Sequence, residues 1–420
     1  MSLDRQSVGQ AARPPTPTCR RVWFALIAVA AFALYWSSSF TLYARGAVTH
    51  FGTDAHLYEL LAKGIINDRT ARFHPVTVGM SLVWMKALDP LTAWIAPHYL
   101  LKAMFAAIGA AGVWASMAAF ATAAPRSCAP LCGAIYATSF GVWYFSSIEE
   151  SKIVTATLCA LYIASYLHLR ARWTTRGAVL LTAILLVACL NEIVSCFLIV
   201  IPIVDTLKRQ RWNWRHYSWI AAHGLAGPLA FAILEGVING PLVSAEMDPE
   251  RASHLSMLFF YIAQNDYGLA NLYAFAVNWL FFNIAAPTPD ASYAIPPWGN
   301  FKGYFEPALA NYFSSPVSAS LIAVAGATVV ASALPRYRAE LPADTTSILM
   351  ALMAYGLLRG AFFFIFNPDE PLLFSPAITL AYMLVIGIPI AASDFPAKRT
   401  FLAAFAGLLF FTNGAFIVGR

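Results

Sequence analysis

Three carboxylates stand out in this sequence as groups that can accept a proton or bind a polar ligand. Asp54 opens the amphipathic stretch DAHLYELLAKG, and Glu149 and Glu150 are adjacent in the short segment SSIEESK, with Lys152 close behind. A carboxylate within reach of a hydroxyl can act as a general base, and paired acids beside a lysine can bind a cation or orient a sugar. Two plainer roles stay open: Asp54 as an N-cap, and the paired glutamates as a solvated turn.

A second set of ionisable residues suits an anionic ligand. Arg359 interrupts the apolar run LLRGAFFFIF, Asp369 lies in the turn FNPDEP that follows it, and Arg72 and His74 precede another apolar run. A buried arginine needs an anionic partner, which can be a carboxylate of this chain or a lipid phosphate. The sequence leaves both open. For Arg72 and His74, snorkelling towards lipid headgroups is the alternative.

Several kinds of catalytic site are not indicated. The sequence has no P-loop, no dinucleotide-binding glycine motif, and no serine-hydrolase or zinc-protease signature. An activated substrate therefore reaches this protein in a form other than a nucleotide, and a lipid-linked donor would do so. The six cysteines predict neither a zinc site nor a disulfide framework. We assign no metal ligands, and a divalent cation stays open as a cofactor.

The composition explains why each charge is a candidate. Charged residues make up 11% of the 420 residues, against about 25% in an ordinary soluble protein. Apolar residues reach 59%, which is more than a water-soluble core can hide. These values exclude a soluble globular enzyme, a disordered protein and a disulfide scaffold. They predict an all-α polytopic membrane protein.

Apolar segments of suitable length predict about eleven transmembrane helices, within a range of about 10 to 13. The segments are 22–42, 98–122, 129–145, 153–169, 177–190, 193–207, 217–238, 316–334, 346–365, 371–391 and 400–418. The first is long and has no cleavage site after it, so we expect an anchor rather than a signal peptide. The break between the two short segments falls at Asn191-Glu192, where helix capping is the favoured role.

This pattern predicts a short tail followed by a single domain. Residues 1–21 form a cytoplasmic tail, and residues 22–420 form a single transmembrane domain. Lysine and arginine concentrate in the tail and in alternate loops, which places those parts in the cytoplasm by the positive-inside rule. The net charge of +6 is thereby explained without nucleic acid. We expect a multi-pass protein of a bacterial inner membrane with its N-terminus in the cytoplasm.

Two long stretches then lie on the outer side, at 43–97 and 239–315. Both are too apolar and aromatic for plain solvated loops. In the first, short amphipathic and apolar runs predict interfacial helices. The candidate acids and cations crowd this outer side.

The order of these features resembles the GT-C superfamily of integral-membrane glycosyltransferases. The resemblance is nearest to the branch of the protein O-mannosyltransferases and aminoarabinose transferases. It consists of one N-terminal span, an outer loop with the acid of DAHLYELLAKG, a His-Pro before a short apolar helix, the turn SSIEESKIV, and the late stretch FNPDEPLLFSPAITLAY. The departures are a single Asp54 followed by alanine, a His74-Pro75 followed by valine rather than a second proline, and the absence of a large soluble C-terminal domain. These departures favour a lipid or glycan acceptor over a protein acceptor.

The resemblance implies an inverting transfer from a polyprenyl-phosphate sugar. Asp54 matches the first-loop acid of the family, which acts as general base. Cationic groups would stabilise the leaving phosphate, and Arg359, Lys152 and Arg72 are the candidates, with His74 behind them. Glu149 and Glu150 match the second-loop acids. Those acids help to bind the acceptor, or a metal in the oligosaccharyltransferase branch.

Two other functions stay open for the sequence. A multi-pass transporter or lipid flippase would favour inverted repeats and broken helices at the membrane midplane, and the chain has no internal repeat. A non-catalytic subunit of an envelope-glycan assembly would keep the fold but would not depend on Asp54.

Overall fold

The computed structural model describes residues 17–46, 54–170, 173–209, 214–239, 254–265, 267–286, 341–368 and 370–419. These residues are predominantly helical, and no β-strand occurs among them. The prediction of an all-α chain is confirmed. Asp369 and the predicted span 316–334 lie outside the described residues.

The described residues up to Asn191 form nine α-helices. They are α1 (Pro17–Ala44), α2 (Ala55–Glu59), α3 (Asp68–Phe73), α4 (Pro75–Ala87), α5 (Pro97–Ala123), α6 (Ala129–Thr138), α7 (Phe140–Ser146), α8 (Ser151–Leu169) and α9 (Thr175–Asn191). Short 3₁₀ turns follow α2 at Leu60–Lys63 and α4 at Asp89–Leu91. The short helices predicted between residues 43 and 97 are therefore present.

The second half continues from a 3₁₀ segment, Ile193–Ile199, that runs directly into α10. Its helices are α10 (Val200–Lys208), α11 (Trp214–Gly224), α12 (Ala226–Ile233), α13 (His254–Gln264), α14 (Leu269–Ala276), α15 (Ala343–Phe366), α16 (Pro371–Phe374), α17 (Thr379–Ala392) and α18 (Lys398–Val418). π-helical turns extend α12 to Asn239 and α14 to Phe282, and a 3₁₀ turn joins α16 to α17.

Among the described residues, seven helical segments are long and apolar enough to cross a membrane. They are Arg21–Ala44, Pro97–Ala123, Ser151–Leu169, Tyr217–Val237, Ala343–Phe366, Pro371–Ala392 and Lys398–Val418. Ala129–Thr138, Thr175–Asn191 and Leu269–Phe282 are shorter apolar helices. The chain is thus a multi-pass membrane protein, and the count of about eleven spans stays a prediction.

The centre of the bundle is built on close contact of α5 with its neighbours. A Cβ at Gly109 would overlap the Ser146 side chain, and one at Gly112 would lie 2.9 Å from Thr157 Oγ1. Lipid tails are as apolar as leucine, so small residues that let helices approach closely promote association in a membrane. Glycine at these two positions keeps α5 against α7 and α8.

Helix α8 defines two ends of the bundle. Its 19 residues span about 28 Å at 1.5 Å per residue. Glu149 and Glu150 precede it at what we call the carboxylate end. Arg170 follows it at the opposite end, which we call the Asp205 end. Helix α9 returns to the carboxylate end, where Glu192 has an extended backbone and stops the helix.

The Asp205 end is held by an ion-pair cluster. Asp205 accepts hydrogen bonds from Arg170 Nη2 (2.7 Å) and Tyr166 Oη (2.8 Å). Arg209 Nε donates to Asp344 Oδ1 at 2.8 Å, and Ser347 Oγ donates to Asp205 Oδ1 at 2.5 Å. These contacts fasten α8, α10 and α15 together at this end.

Candidate functional site

The carboxylate end gathers most of the ionisable residues singled out in the sequence. It is formed by the residues before α2, by the starts of α4, α5 and α8, and by the end of α9. Helix α15 reaches it near Arg359. We call the following residues the carboxylate cluster: Asp54, Glu59, Lys102, Glu149, Glu150, Lys152, Asn191, Glu192 and Arg359.

Asp54 occupies the N-cap position of α2. Its backbone carbonyl accepts hydrogen bonds from the N–H groups of Leu57 (2.8 Å) and Tyr58 (3.3 Å), and its side chain makes no capping hydrogen bond. The backbone N–H of Asp54 donates to Glu150 Oε2 at 2.8 Å. The backbone of Asp54 therefore starts the helix, whereas its carboxylate does not serve as a cap.

The Glu149-Glu150 turn is buried. The relative exposures are 0% for Glu149 and 2% for Glu150, so the interpretation as a solvated turn is wrong. Glu150 Oε1 accepts a hydrogen bond from Ser151 Oγ at 2.9 Å. Burial raises the pKa of Glu150, the charge of Asp54 raises it further, and Lys152 opposes both effects. Placing a second carboxylate beside Asp54 thus favours the neutral form of Glu150.

Lys102, in the second turn of α5, is the charged partner of Glu149. The two side chains form a buried ion pair, and Lys102 Nζ also lies 3.4 Å from Glu59 Oε1. The ammonium group sits over the Tyr43 ring, 4.7 Å from its centroid. Burial raises the pKa of Glu149 to about 7, against the opposing charge of Lys102. Lys102 was not among the sequence candidates, although a charge this close to the start of an apolar helix is a signal for function.

Arg359 is fully buried and paired with a carboxylate of the chain itself. Its Nη2 donates to Glu192 Oε1, and Lys152 Nζ lies 3.7 Å from Glu192 Oε2. The anionic partner left open by the sequence is therefore Glu192, at 0% exposure for the arginine and 7% for the glutamate. Burial alone would raise the pKa of Glu192, but Arg359 and Lys152 hold it below its usual value.

The ion pair with Glu192 does not use all the hydrogen-bond donors of the Arg359 guanidinium. Its Nε and Nη1 atoms are buried and make no hydrogen bond to any residue that the structure describes. One carboxylate here faces two cations, Arg359 and Lys152, so the group carries a net positive charge when all three are ionised. A buried donor without a partner is costly, and an anionic ligand would satisfy it.

Asn191 joins this group to the first loop. Its Oδ1 accepts hydrogen bonds from the N–H (3.0 Å) and the hydroxyl (2.7 Å) of Thr77, and its Nδ2 donates to Thr155 Oγ1 at 2.9 Å. The Asn191 carbonyl oxygen lies 2.7 Å from His74 Nδ1. A carbonyl only accepts, so Nδ1 carries the proton. Asn191 was seen in the sequence only as a helix break, and its side chain fixes α4 against α8.

The remaining sequence candidates have different outcomes. Arg72 is buried on α3 with 0% exposure, so snorkelling is wrong for it. His74 is half-buried, with Nδ1 2.7 Å from the Asn191 carbonyl oxygen. Asp369 lies outside the described residues. Its neighbour Glu370 accepts a hydrogen bond from Asn367 Nδ2 at 2.7 Å and precedes α16.

The donor set at this end does not resemble a metal site. No group of three or more His, Cys, Asp or Glu side chains is arranged to hold a metal ion within the described part of the chain. What the arrangement offers chemically is a carboxylate in Asp54, buried cations in Lys152 and Arg359, and a polar frame that holds them.

Comparison with known proteins adds no family assignment. The sequence matches no protein-family model, and no curated protein is significantly similar to it.

Proposed function

We propose that this chain is an integral-membrane glycosyltransferase that takes a sugar from a polyprenyl-phosphate donor. The acceptor is a hydroxyl of a lipid, a glycan or a protein at the outer face. The proposal includes a GT-C-like fold with about eleven spans. The observation that carries the proposal is that one carboxylate and two buried cations lie at the same end of a membrane-spanning bundle.

The proton acceptor in this proposal is Asp54. Its carboxylate does not cap α2, and its backbone is fixed by Glu150 at 2.8 Å. A positioned carboxylate that removes a proton from an attacking hydroxyl typically accelerates a reaction about 10²- to 10⁴-fold.

The leaving phosphate is assigned to Arg359 and Lys152. Support comes from the two guanidinium nitrogens of Arg359 that have no hydrogen-bond partner among the described residues. Each of these nitrogens carries an N–H that can donate a charge-assisted hydrogen bond to a phosphate oxygen. Lys152 Nζ, held 3.7 Å from Glu192, adds a second positive charge where negative charge develops.

The reaction is a single displacement. The acceptor oxygen forms a bond to the anomeric carbon as its proton passes to Asp54. The bond between that carbon and the phosphate oxygen breaks at the same time, with inversion at carbon. The electron pair leaves with the polyprenyl phosphate, whose charge faces Arg359 and Lys152. The proposed step uses no nucleotide, and a divalent cation stays open as a cofactor.

The orientation is part of the proposal. The Asp205 end carries Arg170 and Arg209, and Arg126 follows α5 at the same end. By the positive-inside rule this end faces the cytoplasm, as does the N-terminal tail. The carboxylate end then faces outward, as a polyprenyl-phosphate donor presented at that face requires. A bacterial inner membrane suits this arrangement.

The test is sugar transfer by purified protein in lipid vesicles. A panel of radiolabelled polyprenyl-phosphate sugars is offered to the wild type and to Asp54→Asn, and the anomeric configuration of the product is determined. Transfer with inversion by the wild type, lost in Asp54→Asn, supports the proposal. Absence of both binding and turnover with every donor would shift the function to a transporter or a non-catalytic subunit.

A further inference from the structure

We propose that Glu150 is the positioning residue for Asp54: its carboxylate holds the backbone of residue 54 in place and so aims the general base. This inference rests on the proposed function and extends it to a residue that does not react. In this role Glu150 contacts neither the sugar nor the phosphate. It acts through Asp54 alone.

The first-loop helix needs an external anchor. Helix α2 has five residues, and an isolated helix shorter than about 12 residues is marginal even in favourable sequences. The direction of the Asp54 side chain therefore depends on tertiary contacts. The bond from Asp54 N–H to Glu150 Oε2 joins residues 96 positions apart in the chain.

Glu150 is itself held rigidly enough to serve as that anchor. Its two oxygens have separate partners: Oε1 accepts from Ser151 Oγ at 2.9 Å, and Oε2 accepts from Asp54 N–H at 2.8 Å. The residue is 2% exposed and lies directly before α8, a helix buried over most of its length. The first-loop acid is thus tied to the start of a largely buried helix.

The charges around Glu150 agree with an accepting rather than a reacting role. Asp54 and Lys152 act on it electrostatically, and Glu150 in turn acts on the buried Tyr144. Burial and the charge of Asp54 both raise the pKa of Glu150. A neutral carboxyl keeps a carbonyl oxygen that accepts the Asp54 N–H bond, so the anchor does not depend on ionisation.

Because the anchoring hydrogen bond does not require a charged Glu150, variants of this residue can separate the effect of the bond from the effect of the charge. In Glu150→Gln, the amide oxygen can accept from Asp54 N–H and the amide nitrogen can donate to Ser151 Oγ, so the anchor remains. Glu150→Ala removes it. Glu150→Asp keeps the carboxyl group but shortens the side chain by one methylene, so the group no longer reaches Asp54 N–H in the same way. It serves as a second test if the alanine variant does not fold.

Two measurements are made on the full-length protein in lipid. The first is hydrogen–deuterium exchange of the peptide over residues 54–60, and the second is sugar transfer with kcat and KM resolved. For Glu150→Ala we expect faster exchange and a loss in kcat of about 100-fold, the cost of a catalytic group misplaced by about 1 Å, with KM changed less than about threefold. For Glu150→Gln we expect wild-type exchange and a kcat within about threefold of the wild type, because the anchoring bond is kept.

Each other result has a defined meaning. Unchanged exchange and unchanged kcat in Glu150→Ala would overturn the inference. A loss in Glu150→Gln as large as that in Glu150→Ala would also overturn it, because charge rather than anchoring would then matter. If the wild type transfers no sugar from any donor, the proposed function fails, and the exchange measurement alone still decides whether Glu150 holds Asp54.

Discussion

Arg359 and Glu192 show at the scale of single residues how a charge is kept inside this bundle. The pair is desolvated, and Lys152 lies on the second oxygen of Glu192 at 3.7 Å. The two residues of this ion pair therefore differ in whether a second partner is at hand. Glu192 retains a cation when Arg359 is removed, whereas Arg359 has no other hydrogen-bond acceptor within the described residues when Glu192 is removed.

This difference predicts which variant of the ion pair is the less stable. Glu192→Gln leaves a buried arginine unpaired and should cost about 3–5 kcal/mol, whereas Arg359→Met should cost less because Lys152 still compensates Glu192. Thermal melting of the purified variants measures the order. The double variant should recover part of the loss of Glu192→Gln. An Arg359→Met protein less stable than Glu192→Gln would contradict this assignment.

Glu149 predicts a pH dependence of stability. Its pKa is raised from 4.5 to about 7 in the folded protein, so between these values the folded chain holds a proton that the unfolded chain has released. Stability should therefore fall as the pH rises from about 4.5 to about 7. In Glu149→Gln this fall should be smaller. Melting temperatures of the wild type and of Glu149→Gln, recorded across this pH range, test the prediction. An equal fall in melting temperature for the two proteins would contradict it.

Helix α5 sets the packing at the scale of elements. It approaches α7 at Gly109, where an added Cβ would overlap Ser146 and lie 3.1 Å from the Tyr35 ring. Gly79 on α4 offers a matched control, since a Cβ there meets nothing within 4 Å. Both residues lie inside helices and gain the same helix propensity on becoming alanine.

The two alanine variants should therefore differ in sign. Gly109→Ala should destabilise the protein by about 1–3 kcal/mol through overpacking, and Gly79→Ala should be neutral or stabilising by up to about 1 kcal/mol. Melting temperatures of the two variants measure the difference. Equal effects would mean that α5 is not packed as closely as described.

The same elements show what a sequence can and cannot reveal. The break at Asn191-Glu192 was foreseen because two polar residues interrupt an apolar run. The partner of Arg359 was not, since Glu192 lies 167 positions away and only the fold brings it near. Lys102 lies near the start of its apolar segment, and only the fold brings it to Glu149, 47 positions away. Composition and length predicted the helices, but contacts between distant loops defined the candidate site.

At the scale of the whole molecule, the separation of charge between the two ends fixes the proposed orientation. Asp89 lies in the first loop near the carboxylate end, and Arg126 follows α5 at the other end. Both are exposed. A membrane-impermeant maleimide added to intact cells should label Asp89→Cys, and should label Arg126→Cys only after permeabilisation.

This labelling is made in a Cys19→Ser background, because Cys19 precedes the apolar core of α1 and the other five cysteines are buried or half-buried. Labelling of Arg126→Cys in intact cells, without labelling of Asp89→Cys, would reverse the orientation. The carboxylate cluster would then face the cytoplasm, and a donor presented at the outer face would not reach it.

The most direct test of the central claim compares Asp54→Asn with Asp89→Asn in the same vesicles, at saturating donor. Asp89 is an exposed acid of the same loop and serves as the control. We expect Asp54→Asn to bind the donor as the wild type does and to lose at least about 100-fold in turnover, while Asp89→Asn keeps its rate. Full turnover by Asp54→Asn would contradict the assignment of Asp54 as the general base.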